Sequence, residues 1–186
     1  QAVATATELA LPYDESLLLA NLVRLYSQLG DQARAAERYE QLAQLLAQVK
    51  LPKECQLAGW SAAALKAHYA GENQSALRYA EQAYQLADQG EIQFRQIDTA
   101  LIVGHVRAAS AQWKPAASAY QQALAAFQQL GNQALMAEPR AGLAQIALAQ
   151  GDLGSALAQV EAILPVLAKQ PHAGYNDPFF IYLTCY

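Results

Sequence analysis

Charge is what this chain has least of. Lys, Arg, Asp and Glu together make up 15% of its 186 residues, and the formal net charge is −4. The 12 Lys and Arg are scattered, so the chain has no basic stripe of the kind that tracks a phosphate backbone, and nucleic acid is excluded as a partner. Cysteine is nearly absent. Cys55 and Cys185 stand far apart, outside any CxxC or Cys/His cluster, which points to a reduced, cytoplasmic setting and away from a disulfide framework. Long apolar runs are missing too: Ala141 to Ala149 is interrupted well short of the roughly 20 residues needed to cross a bilayer, so no membrane partner is expected. No basic start followed by an apolar core marks a signal peptide. Because the first residue is Gln, upstream segments are expected to be missing. β-Branched residues are sparse, which argues against sheet.

What remains is Ala, Leu and Gln, with apolar residues at 54%. These sit at the favourable end of helix propensity, so the fold is read as all-α. Self-similarity then organises the chain. Leu29-Gly30-Asp31, Ala70-Gly71-Glu72 and Gln150-Gly151-Asp152 share a small-residue turn, a polar cap and an Ala four residues after the cap. A degenerate copy, Ala111-Gln112-Trp113-Lys114-Pro115-Ala116, lacks the Gly. Gly30, Gly71, Ala111 and Gly151 are separated by 41, 40 and 40 residues. Gly after an apolar run can end a helix in the left-handed conformation, and Asp or Asn beside it can cap the next. Each copy therefore marks a helix-turn-helix.

After each turn, apolar residues recur at spacings of four and three: Ala35, Tyr39, Leu42; Ala76, Ala80, Ala83; Ala116, Tyr120, Ala123; Ala156, Val160, Ile163. That spacing puts them on one buried stripe. Trp60, Ala63 and Ala67 form the matching stripe of a first helix, which predicts a buried Trp60. Helices are expected near 2–10, 14–29, 32–49, 54–70, 73–89, 92–111, 114–130, 134–150, 153–169 and 177–186. Pro139 and Pro165 predict a kink or early break.

Trp60, the Gly-Asp turns and the Ala, aromatic, small-residue triplet of the second helices resemble the tetratricopeptide repeat, although 40 residues exceeds that family's usual period of about 34. The resemblance covers nearly the whole chain and implies a right-handed α-α superhelix. It would hold four repeats over 14–50, 54–90, 92–131 and 134–170, with partial units at 1–12 and 175–186. Longer repeats of this kind look like the sensor arms of large bacterial regulators. Both ends read as severed, because a terminal repeat needs a polar outer face and this chain closes on Phe179 to Tyr186.

The resemblance implies a concave groove lined by first helices, with Asn21, Arg24, Gln28, Leu65, His68, Tyr69, Leu101, His105 and Gln145 as partner-binding residues. The same positions would also suit a plain solvated helix face. His68 and His105 lie 37 residues apart without i, i+4 pairing or a neighbouring carboxylate in sequence, so no metal is expected, nor any other cofactor. No phosphate loop or nucleophile elbow is present, and the chain is read as a non-enzyme. Three functions fit: a protein or peptide-binding module of a larger cytoplasmic regulator, a small-molecule sensor arm, or a self-association scaffold. Phe180 and Leu183 are the expected self-association contact.

Overall fold

A computed structural model describes residues 11–89, 93–169 and 177–186. The helix expected over 2–10 lies outside them. Among the described residues nine helices follow one another without a strand: α1 (Pro12–Gln28), α2 (Gln32–Gln48), α3 (Lys53–Tyr69), α4 (Asn73–Gln89), α5 (Gln93–Ala109), α6 (Trp113–Gln129), α7 (Ala137–Ala149), α8 (Leu153–Lys169) and α9 (Pro178–Cys185). They fall into two compact units, Gln1–Ile102 and Val103–Tyr186, with α5 contributing to both.

The four repeat turns share one backbone device. Gly30, Gly71 and Gly151 take φ of 75°, 77° and 78°, and Ala111 takes 56° at the same place. At each, the next residue's N–H reaches back to close the helix, as from Asp31 to the Tyr26 carbonyl, Glu72 to Ala67, Gln112 to Arg107 and Asp152 to Ala147. These are Schellman closures, and the left-handed residue they require is the reason Gly recurs. Gln112 supplies no side-chain cap, whereas the Asp31 and Asp152 carboxylates accept from the Arg34 and Ser155 amides. Hydrogen bonding from Ser155 holds the Asp152 carboxyl below its ordinary value, so its support for the start of α8 is present above the usual carboxylate range and is lost as pH falls through the lowered value. Ala111 is the strained member of the set. Ala111→Gly should raise stability by roughly 1 kcal/mol, since the left-handed state is costly for any residue with a Cβ. A urea midpoint that stays put or falls would contradict this.

In the first unit, α3 packs on both helices of the α1–α2 hairpin and forms a hairpin of its own with α4. Leu19, Ala20, Val23 and Leu42 meet Ala58 and Ala62 in the core. Helices α2 and α3 pack so closely that a Cβ built on Gly59 would stand 2.6 Å from Leu46 Cδ1. With neighbours on several sides, α3 buries Cys55, Leu57, Ala58, Ser61, Ala62, Ala63, Ala64, Leu65 and Ala67. Lys53, Gln56 and Trp60 are its exposed residues, Trp60 at 37%. The buried Trp60 expected from the repeat pattern is therefore corrected. An apolar helix with small residues all round is an interior helix, and the bulky ring is turned outward to stack on Tyr79, with centroids 5.8 Å apart. Trp60→Ala should cost about 1–2 kcal/mol, less than the ~3–5 of a fully buried aromatic. Chemical denaturation checks this value.

In the second unit, α7 packs on α6 and α8, and α9 lies on α7 and α8. Ala137, Ala141, Ile163, Leu167 and Ile181 form its core. Helix α7 begins at Ala137 and not near 134, which puts Pro139 in the first turn, where no backbone donor is needed. The break expected at Pro165 does not occur, and α8 continues to Lys169. Pro165 is exposed there, so the carbonyl it leaves unpaired one turn earlier faces solvent and costs less than in a core.

Candidate interaction site

The residues expected to line a groove separate on inspection. Asn21 is exposed and accepts from Arg24 Nη2 at 2.9 Å, while Gln28 is half-buried beside them on α1. His68 and Tyr69 are half-buried at the end of α3 with their rings edge to face, and the Tyr69 carbonyl accepts from Gln32 Nε2 at 3.2 Å. Leu65 and Leu101 are buried. They serve the packing of the helices and not a solvent-facing wall, because first helices in this fold are covered on more faces than one stripe suggests. Gln145, in the second unit, is exposed and donates to Thr184 Oγ1 at 2.9 Å, tying α7 to α9.

His105 departs furthest from the reading as a surface or groove histidine. It is buried and does have a carboxylate partner, 33 residues away: Nε2 lies 2.9 Å from Glu138 Oε1, and the two side chains are 8% and 6% exposed. Its Nδ1 stands 2.9 Å from the Tyr120 hydroxyl. The simplest assignment has Nε2–H donating to Glu138 and Nδ1 accepting from Tyr120 O–H. Glu138 Oε2 accepts the backbone N–H of Asp177 at 3.3 Å, and the Asp177 carboxylate caps α9 through the Phe180 amide at 2.9 Å. Phe180 then closes over the imidazole, edge to face at 4.6 Å.

Tyr120 reaches this network through a slot between two glycines. A Cβ on Gly104 would stand 2.7 Å from its ring, and one on Gly142 would stand closer still. The arrangement fixes α5, α6, α7 and α9 of the second unit around one polar knot. It offers no grouping of three or more metal-ligating side chains among the described residues.

The open surface of the same unit is different in kind. A groove of about 770 Å³ runs between the end of α7, the first half of α8 and the end of α9. Ala144, Ala149 and Ala156 lie along it, and Leu148, Leu153, Leu157 and Leu183 project around it. Leu183 is 80% exposed, Leu153 67% and Leu157 58%. No charged side chain lines the groove. Burial pushes the Cys185 thiol at its edge upward, which lowers its thiolate fraction and its reactivity. Sequence analysis does not single out Leu153 and Leu157, which lie on the expected helix over 153–169 but off its predicted buried stripe. Phe180, expected at an exposed contact, is turned inward against His105, while Leu183 is outward as expected.

Helix-turn-helix repeats closed by left-handed turns, with an apolar groove left at one set of helices, define an all-helical repeat protein. Solved structures agree on the fold. Aspartyl phosphate phosphatase F from Bacillus subtilis matches with a TM-score of 0.70 at 13% identity, over 86% of this chain and 42% of that one. BtubC from P. vanneervenii matches with a TM-score of 0.71 at 18% identity, over 98% of this chain and 76% of that one. The chain thus spans less than half the length of the phosphatase it resembles. No protein-family model and no curated protein matches it. Among the described residues no helix is long and apolar enough to cross a membrane.

Proposed function

We propose that the chain is a protein-interaction module of tetratricopeptide kind, with repeats lengthened to about 40 residues, serving a larger cytoplasmic regulatory protein. The observation that carries this reading is the groove of the second unit. Monomeric proteins rarely leave so many large apolar side chains together at the surface, and such patches mark interaction sites. The absence of charge along it suits an apolar stretch of polypeptide, and its openness suits a segment lying across it better than an enclosed small inducer. The reading as a non-enzyme is supported by the burial of the acid-base set found among the described residues, His105 with Glu138 and Tyr120.

A photo-crosslinking residue at Leu157 tests the proposal in extract of the producing cells, against the same residue at exposed Ala33 of the first unit. Adducts to protein should form from position 157 and be lost on adding Leu153→Glu. Equal yields from both positions would sink it.

A further inference from the structure

The first unit carries an aromatic surface of its own. Trp60 on α3 stacks on Tyr79 of α4, with the two ring planes 25° apart. The Arg78 guanidinium lies over the Tyr79 ring at 5.1 Å, and Lys66 Nζ lies over the Tyr39 ring of α2 at 5.8 Å. Burial, and after it the Tyr79 phenol nearby, push the Tyr39 phenol above its ordinary value, so the two tyrosines stand within reach of each other's charge. Three helices thus bring three rings and two cations together. Trp60 and Arg78 are exposed, and Tyr39, Lys66 and Tyr79 are half-buried.

Both cations are unmatched. Lys66 and Arg78 pair with no carboxylate among the described residues, whereas Arg34 and Arg38 have Asp31 and Glu37. Ring faces hold them instead, which fixes their heads without neutralising them. In a chain of formal net charge −4 acids outnumber bases, so this is a local positive field set against the overall sign. The residue types matter as much as the charge. Trp, Tyr and Arg are the side chains that carry most of the energy at protein interfaces, since rings offer broad, rigid contact area and Arg adds charge to it.

We infer that this surface docks an acidic segment of a partner protein, with an apolar or aromatic side chain of the segment on Trp60 and Tyr79 and its carboxylates on Lys66 and Arg78. Charge complementarity chooses the occupant, because a carboxylate supplies what neither cation finds within the chain. The stacked pair of rings chooses a polypeptide over a small free anion, which would leave the indole bare. A single strand of nucleic acid would also stack on rings and seek cations. Two positive side chains are too few to hold its phosphates against a chain of opposite net sign, so the acidic polypeptide is favoured. This surface belongs to the first unit and is independent of the apolar groove in the second, which has no charge along it and suits a different segment.

A random peptide display library, selected on the whole chain and counter-selected on the double variant Lys66→Gln/Arg78→Gln, tests the inference. Enriched peptides should carry Asp or Glu clustered beside an aromatic residue or Leu. A labelled synthetic copy of their consensus should bind saturably by fluorescence anisotropy, with a Kd that rises roughly tenfold in the double variant and again from low to physiological salt. Neither cation leaves a carboxylate stranded when it is replaced, so the double variant should keep the helical circular dichroism of the parent. Trp60→Ala should weaken the peptide as well, and Leu157→Glu in the second unit should leave its affinity unchanged. No enrichment on the parent over the double variant would overturn the docking surface. Consensus peptides without acidic residues would overturn the proposed partner, as would a thymidine oligonucleotide that binds more tightly than the peptide and is lost in the same double variant. Binding abolished by Leu157→Glu would place the contact in the groove and overturn the inference while leaving the groove an interaction site.

Discussion

Gly142→Ala should destabilise the second unit by about 3 kcal/mol, at the upper end of what a single inserted methyl costs in a packed core. The new Cβ would fall inside van der Waals contact of the Tyr120 ring. A long side chain can usually swing aside, which makes such an overlap cheap. Tyr120 is restrained from doing so: Gly104 also crowds its ring, and its hydroxyl is held by His105 Nδ1. Relief must come from moving α7 away from α6, which loosens Ala141 and Ala144 as well, both buried on α7. The cause is separable from helix propensity, because Ala is the better helix former and the exchange at an open site would stabilise. Urea denaturation checks the size of the loss. Adding Tyr120→Leu to Gly142→Ala should recover part of it, since the shorter side chain vacates the slot. A Gly142→Ala variant as stable as the parent, or a double variant worse than the sum, would mean that the ring is not held as described.

The fold was legible in the sequence because its signals are local. A left-handed turn is a property of one residue and its neighbours, so Gly30, Gly71 and Gly151 announce themselves, and even Ala111 was placed by the 40-residue interval despite lacking the glycine. The stripes of the second helices are equally local, being set by steps of three and four; Ala35, Leu42, Ala76, Ala80, Ala83, Ala116, Tyr120, Ala123 and Ile163 are buried, while Tyr39, Ala156 and Val160 stay partly exposed. The site was not legible because its parts meet across long separations. Nothing near His105 signals Glu138, and nothing near Tyr120 signals that Gly104 and Gly142 are a slot and not two helix weaknesses.

Trp60 and Leu65 show the same limit from the other side. A repeat pattern fixes which residues share a helix face, and it does not fix how many faces neighbours cover. On α3 the all-round run of Ala, with Ser61 the lone polar residue between Gly59 and Lys66, was the available sign of an interior helix.

Glu138→Ala should cost about 2–5 kcal/mol, because two buried donors lose their acceptor at about 1–3 kcal/mol each. Two donors lose their acceptor together. His105 Nε2–H sits in a side chain only 8% exposed, and the Asp177 N–H belongs to a residue that is itself buried. The imidazole cannot turn to solvent without moving Phe180, whose ring covers it. Glu138→Gln should cost roughly half as much, because the amide keeps one acceptor oxygen and presents its NH₂ to the other donor. The order of the two variants therefore reports hydrogen bonding, while a purely steric role would make the isosteric Gln nearly silent. The Asp177 bond further predicts where the damage spreads. With that anchor gone, α9 should exchange its amide hydrogens over 178–185 faster than α7 does, and the wall that Leu183 lends the groove should loosen before the unit as a whole unfolds. In a double-mutant cycle, Glu138→Ala and His105→Leu should couple by at least about 1 kcal/mol, since removing both partners leaves fewer stranded polar groups than removing either. Simple additivity of the two, with uniform exchange across α7 and α9, would show that Glu138 and His105 merely lie close together and that α9 is held by its apolar face alone.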